Sequence, residues 1–262
     1  MNDPVNLRLE PVSHRRTYEE VVEQIRQQIL NGHLKVGDRL PGERQLSEML
    51  DVSRASVREA MRVLESMSII RARTGTGPES GTVIVGEPGS ALSDVLVINE
   101  ALDTISLDEV IDVRCMLEDA AVRQAVTQAD DAAIDHLRRL VADMRREEDP
   151  YAFLAMDADF HLAIAEVSEN RLIAYLMRSL RGVIHEVLSR IFPHVDNWDE
   201  MRPIVAAEHE QIVELIAARD VDAAVEHVQA HIRHSVNRVL RADPNATQFA
   251  ASASRDGGAG LP

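Results

Sequence analysis

Asp157 and His161 lie four positions apart, so on a helix they share one face. His209 and His231 are equidistant from Asp220, where a turn between consecutive helices is expected. An antiparallel hairpin about that turn brings the two imidazoles level. Both border apolar stripes, Ile212, Val213 and Ile216 on one helix and Val228, Ile232 and Val239 on the other, and should point inward. Three imidazoles and one carboxylate, without a thiolate, suit Zn²⁺, Ni²⁺, Mn²⁺ or Fe²⁺. Such a set leaves one or two positions for water or a bidentate ligand. The plainer alternative is that each histidine is a satisfied core or surface residue. His227 and His234 flank His231 within one turn, but their mirror positions across the hairpin are Val213 and Ala206, which cannot join them as ligands.

Arg114 falls on the stripe Leu107, Val110, Ile111, Leu117 and Ala121, where an apolar residue is expected. One reading is a snorkelling side chain paired with Glu118 at i+4. The other is a cation facing a cavity, placed to grip a carboxylate beside the metal. Arg181 and His185 are further candidates for that cavity wall. The same set could activate water in a hydrolase or hydratase. Against that, Glu208 and Glu210 flank His209 without forming a convincing general base. A third possibility is a pocket in which the histidines hold an anion and no metal.

A second constellation lies near the N-terminus. Arg54, Arg58 and Arg62 recur at i, i+4 and i+8, along one side of a helix whose other side is Val57, Ala60, Met61 and Leu64. Arginine matches the O6 and N7 acceptors of guanine and also clamps phosphate. Ser53 and Ser56 sit in the first turn, where hydroxyls and backbone N–H groups can hold phosphate. Arg44, on the preceding helix, is placed for the backbone or a nearby base. A solvated basic face paired with Glu59 and Glu65 is the competing reading.

These residues need elements to position them. A first helix is expected from Thr17, capped with Glu20 and stopped at Asn31-Gly32. A second spans about 43–50, Asp51-Val52-Ser53 turns, and Ser53 caps the arginine helix. Two short β-like runs, 69–73 and 82–85, flank T-G-T-G-P-E-S-G and read as a hairpin. Three helices and a hairpin make a winged helix-turn-helix over 17–85, after an extension at 1–16. Gly86 to Ser90 read as a linker. From 91 to 241 the pattern is helical, opened by a Ser106/Glu109 capping box and broken at Asp149-Pro150, Asn170, Pro193 and Asp220. Connections this short imply an antiparallel all-α bundle. The stretch 242–262 lacks periodicity and is expected to be disordered. The fold class is mainly α.

Net charge is −16, which argues against DNA until it is divided along the chain. Residues 1–85 hold 12 Lys+Arg and 12 Asp+Glu, so the entire acidic excess lies beyond them. An acidic bundle is repelled by phosphate and stays off the duplex. Aromatic residues are 3% of the chain, too few for single-strand binding by base stacking. No apolar run reaches the ~18 residues that span a bilayer. A single cysteine, Cys115, fits the cytoplasm.

The run L-P-G-E-R-Q-L-S-E-M-L-D-V-S-R-A-S-V-R-E-A-M-R-V-L resembles the GntR family of transcription regulators across about 60 residues. The resemblance implies operator contacts from Arg44, Ser53, Arg54, Ser56 and Arg58, and a minor-groove contact near Thr74 and Gly75. Two positions depart from the family pattern. Ala55 stands where a hydroxyl residue is frequent, and Ser68 replaces the usual glycine before the wing. The segments D-A-D-F-H-L-A-I-A-E-V-S-E-N, E-H-E-Q-I-V-E-L-I-A-A-R-D and A-A-V-E-H-V-Q-A-H resemble the FCD effector domain of the FadR subgroup. Metal-binding members of that type use the positions of Asp157, His161, His209 and His231, and the arginine matching Arg114 points at the effector. The expectation is a homodimeric regulator, a repressor, on a palindromic double-stranded operator. It would respond to a small carboxylate bound beside a divalent metal, with the linker transmitting the change.

Overall fold

The computed structural model describes residues 16–73, 81–86, 90–191 and 198–242. Thr74 and Gly75, most of the expected linker, Pro193, nearly all of the N-terminal extension and all but the first residue of the expected tail lie outside them. The chain divides into two compact units, Met1–Ala91 and Leu92–Pro262.

In the first unit, helices α1 (Thr17–Leu30), α2 (Glu43–Leu50) and α3 (Arg54–Ser66) precede strands β1 (Ile70–Arg73) and β2 (Gly81–Ile84). The strands pair antiparallel, Ile70 opposite Ile84 and Arg73 opposite Gly81. An isolated bridge between Arg39 and Val83 widens this wing, a pairing that the sequence pattern did not signal. Val21, Ile25, Leu46, Val57, Ala60, Leu64, Ile70 and Ile84 form the core, so the apolar sides of all three helices meet. The α1 cap lies one residue before the expected Thr17. Glu19, not Glu20, accepts the backbone N–H of Arg16 at 3.3 Å. Two non-glycine residues described in this unit use the left-handed region, Asp51 (φ 50°) after α2 and Ser68 (φ 55°) before the wing.

The second unit contains α4 (Ser90–Ala101) from its third residue, α5 (Leu107–Gln128), α6 (Asp131–Arg146), α7 (Pro150–Val167), α8 (Arg171–Ile191), α9 (Trp198–Ala217) and α10 (Val221–Ala242). α4 opens at Ser90, so the expected linker ends in a helix. Ser106 and Glu109 form the anticipated capping box of α5. Asp149 caps α7 and Pro150 occupies its first turn, where a missing N–H is harmless. α5 is the central strut, packed on α7, α8 and α10. α9 packs on α10 and α6, and Asp220 caps α10 through the N–H of Ala223. The Arg219 guanidinium, at the same turn, donates to the carbonyls of Val126 and Ala129 and holds the α9–α10 hairpin against the end of α5. Gly182 permits a close helix approach, because a Cβ there would meet Ser93 Oγ at 1.6 Å. Among the described residues, no helix is long and apolar enough to cross a membrane.

Candidate metal centre and nucleic-acid face

α7 presents Asp157 and His161 from consecutive turns of one face, α9 presents His209, and α10 presents His231. One ligand atom from each lies within 4.8 Å of all the others. The three imidazoles are essentially sealed from solvent, at 1%, 0% and 2% exposure. Phe160 packs its ring against His209, with centroids 4.6 Å apart. The i, i+4 pair and the level hairpin positions thus converge on one point.

Hydrogen bonding decides which nitrogens face that point. His161 Nδ1 lies 2.5 Å from Glu118 Oε2, and His231 Nδ1 lies 2.9 Å from Glu208 Oε2. A carboxylate only accepts, so both Nδ1 atoms carry the proton and a neutral ring leaves Nε2 bare. Yet His161 Nε2 lies 3.3 Å from His231 Nε2 and 3.3 Å from His209 Nε2. Bare nitrogens at that distance repel one another unless a cation lies among them. Tetrahedral metal–nitrogen bonds of about 2.0–2.1 Å space their ligands roughly 3.3–3.4 Å apart. Asp157 Oδ1 completes the set, 3.1 Å from His209 Nε2 and 4.0 Å from each of the other two. The donor set fits a divalent metal. His209 Nδ1 is buried without a hydrogen-bond partner among the described residues.

Electrostatics favour the ligating forms. Burial pushes His231 down to about 3, reinforced by the charge of His209. Burial also lowers His209, against the pull of Asp157. Both rings are neutral near pH 7, as metal binding requires. For Asp157, burial favours the acid form, but the His209 bond, the neighbouring imidazoles and the Arg114 guanidinium outweigh it and hold the carboxyl well below its usual range. Glu118 stays ionised the same way, at about 2, because His161 and Arg114 outweigh its burial.

Arg114 is 7% exposed, so the snorkelling reading fails although its pairing with Glu118 holds. Its Nε donates to Glu118 Oε1 at 2.6 Å, and an Nη nitrogen lies 4.0 Å from Asp157 Oδ2. The expected stripe shifts accordingly. Cys115 and Glu118 are buried, whereas Leu107 and Leu117 are only partly so. Two cavities share Arg114, Leu154 and Asp157 in their walls. Arg181 and His185 line one of them, although Arg181 is also paired with Asp159 and His185 is solvent-exposed. Glu118 and Glu208 as histidine partners escaped the sequence reading, as did Arg238, which grips Glu208 with both Nη groups. A signal existed for Glu118, an acid one turn from Arg114 on the same buried stripe. Glu210 pairs with Arg145 at the surface, 2.7 Å away, and takes no part in the cluster.

In the first unit, α3 buries Val57, Ala60, Met61 and Leu64 and exposes Arg54, Arg58 and Arg62. Arg58 lies 3.3 Å from Glu43, Arg62 lies 3.5 Å from Glu59, and exposed Arg44 lies 3.8 Å from Glu48. Exposed pairs of this kind are worth at most about 1 kcal/mol and exchange readily for phosphate. Ser53 Oγ accepts the Ser56 N–H at 3.1 Å, and the two hydroxyls lie 2.9 Å apart. The cap therefore uses part of the hydrogen-bonding capacity expected for phosphate.

Comparison with known proteins agrees with both halves. Residues 17–79 match the description "Bacterial regulatory proteins, gntR family", and residues 109–234 match the FCD domain. The Uxu operon transcriptional regulator of Escherichia coli (strain K12) is 30% identical over 233 residues, covering 87% of this chain and 88% of that protein. The HTH-type transcriptional repressor NanR of Citrobacter rodentium (strain ICC168) is 28% identical, covering 87% and 86%. The solved structure of Streptococcus agalactiae GntR superposes with a TM-score of 0.60 at 25% identity, covering 86% of this chain and 100% of that one. Both matched domains and the named relatives are those of transcriptional regulators rather than enzymes. The chain belongs to the GntR family of bacterial regulatory proteins and is a DNA-binding transcription regulator with an FCD domain.

Proposed function

We propose that this regulator is a cytoplasmic repressor that binds a palindromic operator as a homodimer, under control of a small carboxylate held beside a divalent metal in the bundle. The observation that carries the reading is the convergence of three imidazole Nε2 atoms, two of them bared by carboxylates behind their rings. Asp157, His161, His209 and His231 would hold Zn²⁺, Ni²⁺, Mn²⁺ or Fe²⁺. The metal, when bound, supplies a Lewis acid for one carboxylate oxygen. Arg114 spends its Nε on Glu118 and keeps Nη groups for the effector. Arg181 and His185 extend the polar wall toward solvent.

On the output side, Arg54 and Arg58 read bases or clamp phosphate in the major groove. Arg44, Ser53 and Ser56 fix register on the backbone. Thr74 and Gly75, outside the described residues, would take the minor-groove contact that the family resemblance implies. A dimer is supported by apolar residues left on bundle surfaces, Val113 and Met116 on α5 and Leu172 on α8, which are 45%, 68% and 65% exposed. Two-fold symmetry then demands a palindrome. Repression follows the role of the NanR relative, a transcriptional repressor. The effector shifts operator affinity only by its preference for one of the protein's arrangements.

The test is operator binding by fluorescence anisotropy, with small carboxylates added to metal-replete and chelated protein. The proposal expects an acid that changes operator affinity at least fivefold, and expects chelation to abolish the change. An equal response after chelation would establish a metal-free pocket instead.

A further inference from the structure

The cavity bordered by His231 carries information about the body of the effector. Beyond Arg114, Asp157 and His231, its walls include Phe153, Leu188, Met201, Val205, Val236 and Val239, drawn from α7, α8, α9 and α10. All six are buried. Trp198 closes the wall edge-on to Phe153, with ring centroids 5.0 Å apart, and its indole N–H donates to the Glu148 carbonyl at 3.3 Å. The neutral hydroxyl in the wall is that of Ser235, one turn beyond His231. Its Oγ is buried without a hydrogen-bond partner among the described residues. Among the described residues, the cavity thus has a guanidinium at one end, an aliphatic and aromatic body, and a single unmet hydroxyl.

A polyhydroxylated acid would bury several hydroxyls against hydrocarbon here. Each one left unpaired weakens binding by about tenfold or more. A methylene in the same place is gained rather than lost. We infer that the effector is an apolar-bodied carboxylic acid, a short aliphatic chain or single ring with at most one hydrogen-bonding substituent. Its carboxylate lies toward Arg114, its hydrocarbon lies among Val205, Val236 and Phe153, and any substituent meets Ser235. This rests on the reading that an effector carboxylate binds beside Arg114.

Calorimetric titration of full-length, metal-replete protein with acetate, butanoate, hexanoate and gluconate tests it. Each added methylene should tighten binding roughly fourfold, and hexanoate should bind at least about a hundredfold more tightly than gluconate. Val236→Phe, which fills the cavity, should erase the gain with chain length while metal content holds. Gluconate binding as tightly as hexanoate, or a flat series from acetate to hexanoate, would overturn the apolar body and leave the carboxylate reading intact. An unchanged series in Val236→Phe would equally overturn the assignment to this cavity. Failure of every acid to bind would remove the carboxylate reading, and the inference with it.

Discussion

Arg54 at the start of α3 and Arg114 in the middle of α5 carry the same guanidinium into opposite settings. Arg54 is solvent-exposed, among neighbours whose acid partners lie 3.3–3.8 Å away at the surface. Arg114 is 7% exposed and pinned to Glu118 at 2.6 Å. Surface pairs are worth at most about 1 kcal/mol, so the first unit can exchange its arginines' partners for phosphate at little cost. Removing one member of a buried pair costs about 3–5 kcal/mol, because the other charge is stranded. One unit is built to exchange partners, the other to hold a geometry.

Glu118→Ala attacks the rigid side of that contrast and should have the largest effect. It strands Arg114 and removes the Nδ1 partner of His161. Denaturant unfolding of metal-free protein should show a loss of about 3–5 kcal/mol, and metal titration a weakening of roughly 10–100-fold. A stability loss within about 0.5 kcal/mol would place Arg114 in the same class as a surface arginine. On the exchanging side, Arg54→Ala should cost about 1–3 kcal/mol of operator binding and relax base preference at one position. Arg44→Ala should weaken all DNA alike and reduce the salt slope by about one. Two variants that behave identically on operator and random duplex would refute α3 as the reader.

Acid should sharpen the comparison further. His231 is held near 3 in the folded bundle against an ordinary 6.5, so only the unfolded chain takes up that proton between these values. Its contribution to stability is present above about pH 6.5 and is lost as pH falls toward 3. Glu118, near 2 against 4.5, adds a loss between about pH 4.5 and 2. The melting temperature of metal-free protein should therefore fall steadily from pH 7 to 4. A flat profile would contradict the burial of a neutral His231. The smallest effect belongs to the wing. Ser68 sits at φ 55°, so Ser68→Gly should raise stability by about 0.5–1 kcal/mol, read as a shift in the denaturant midpoint without a change of slope.

What could be read from sequence follows the range over which each feature is encoded. The arginine stripe, the Ser53 cap and the apolar side of α3 lie within a few turns of one another, and periodicity displays them directly. The shared face of Asp157 and His161 and the level of His209 with His231 were legible from an i, i+4 spacing and a mirror about Asp220, but that the two pairs meet was implied only by the family resemblance. Glu118 lies 43 residues from His161 on another helix, and no local pattern links them. Adjacent Glu19 and Glu20 could each cap α1, so pattern alone chose wrongly between Arg16 and Thr17. The bridge from Arg39 to Val83 is a single pairing with no run of alternation to announce it. Local chemistry is written in spacing, whereas the partners that orient it are written in packing.

The most direct test of the account is metal content, with the coordination shell read by X-ray absorption, on metal-replete wild type and His209→Ala. A free energy of about 10–16 kcal/mol for a structural zinc site, shared over four ligands, makes each ligand worth roughly 2.5–4 kcal/mol, about a hundredfold to a thousandfold in affinity. The expected result is one divalent ion per chain, a nitrogen-rich shell at roughly 2.0–2.2 Å, and that loss of affinity in the variant. Wild type that holds no metal after full loading, or His209→Ala with undiminished affinity, would contradict it.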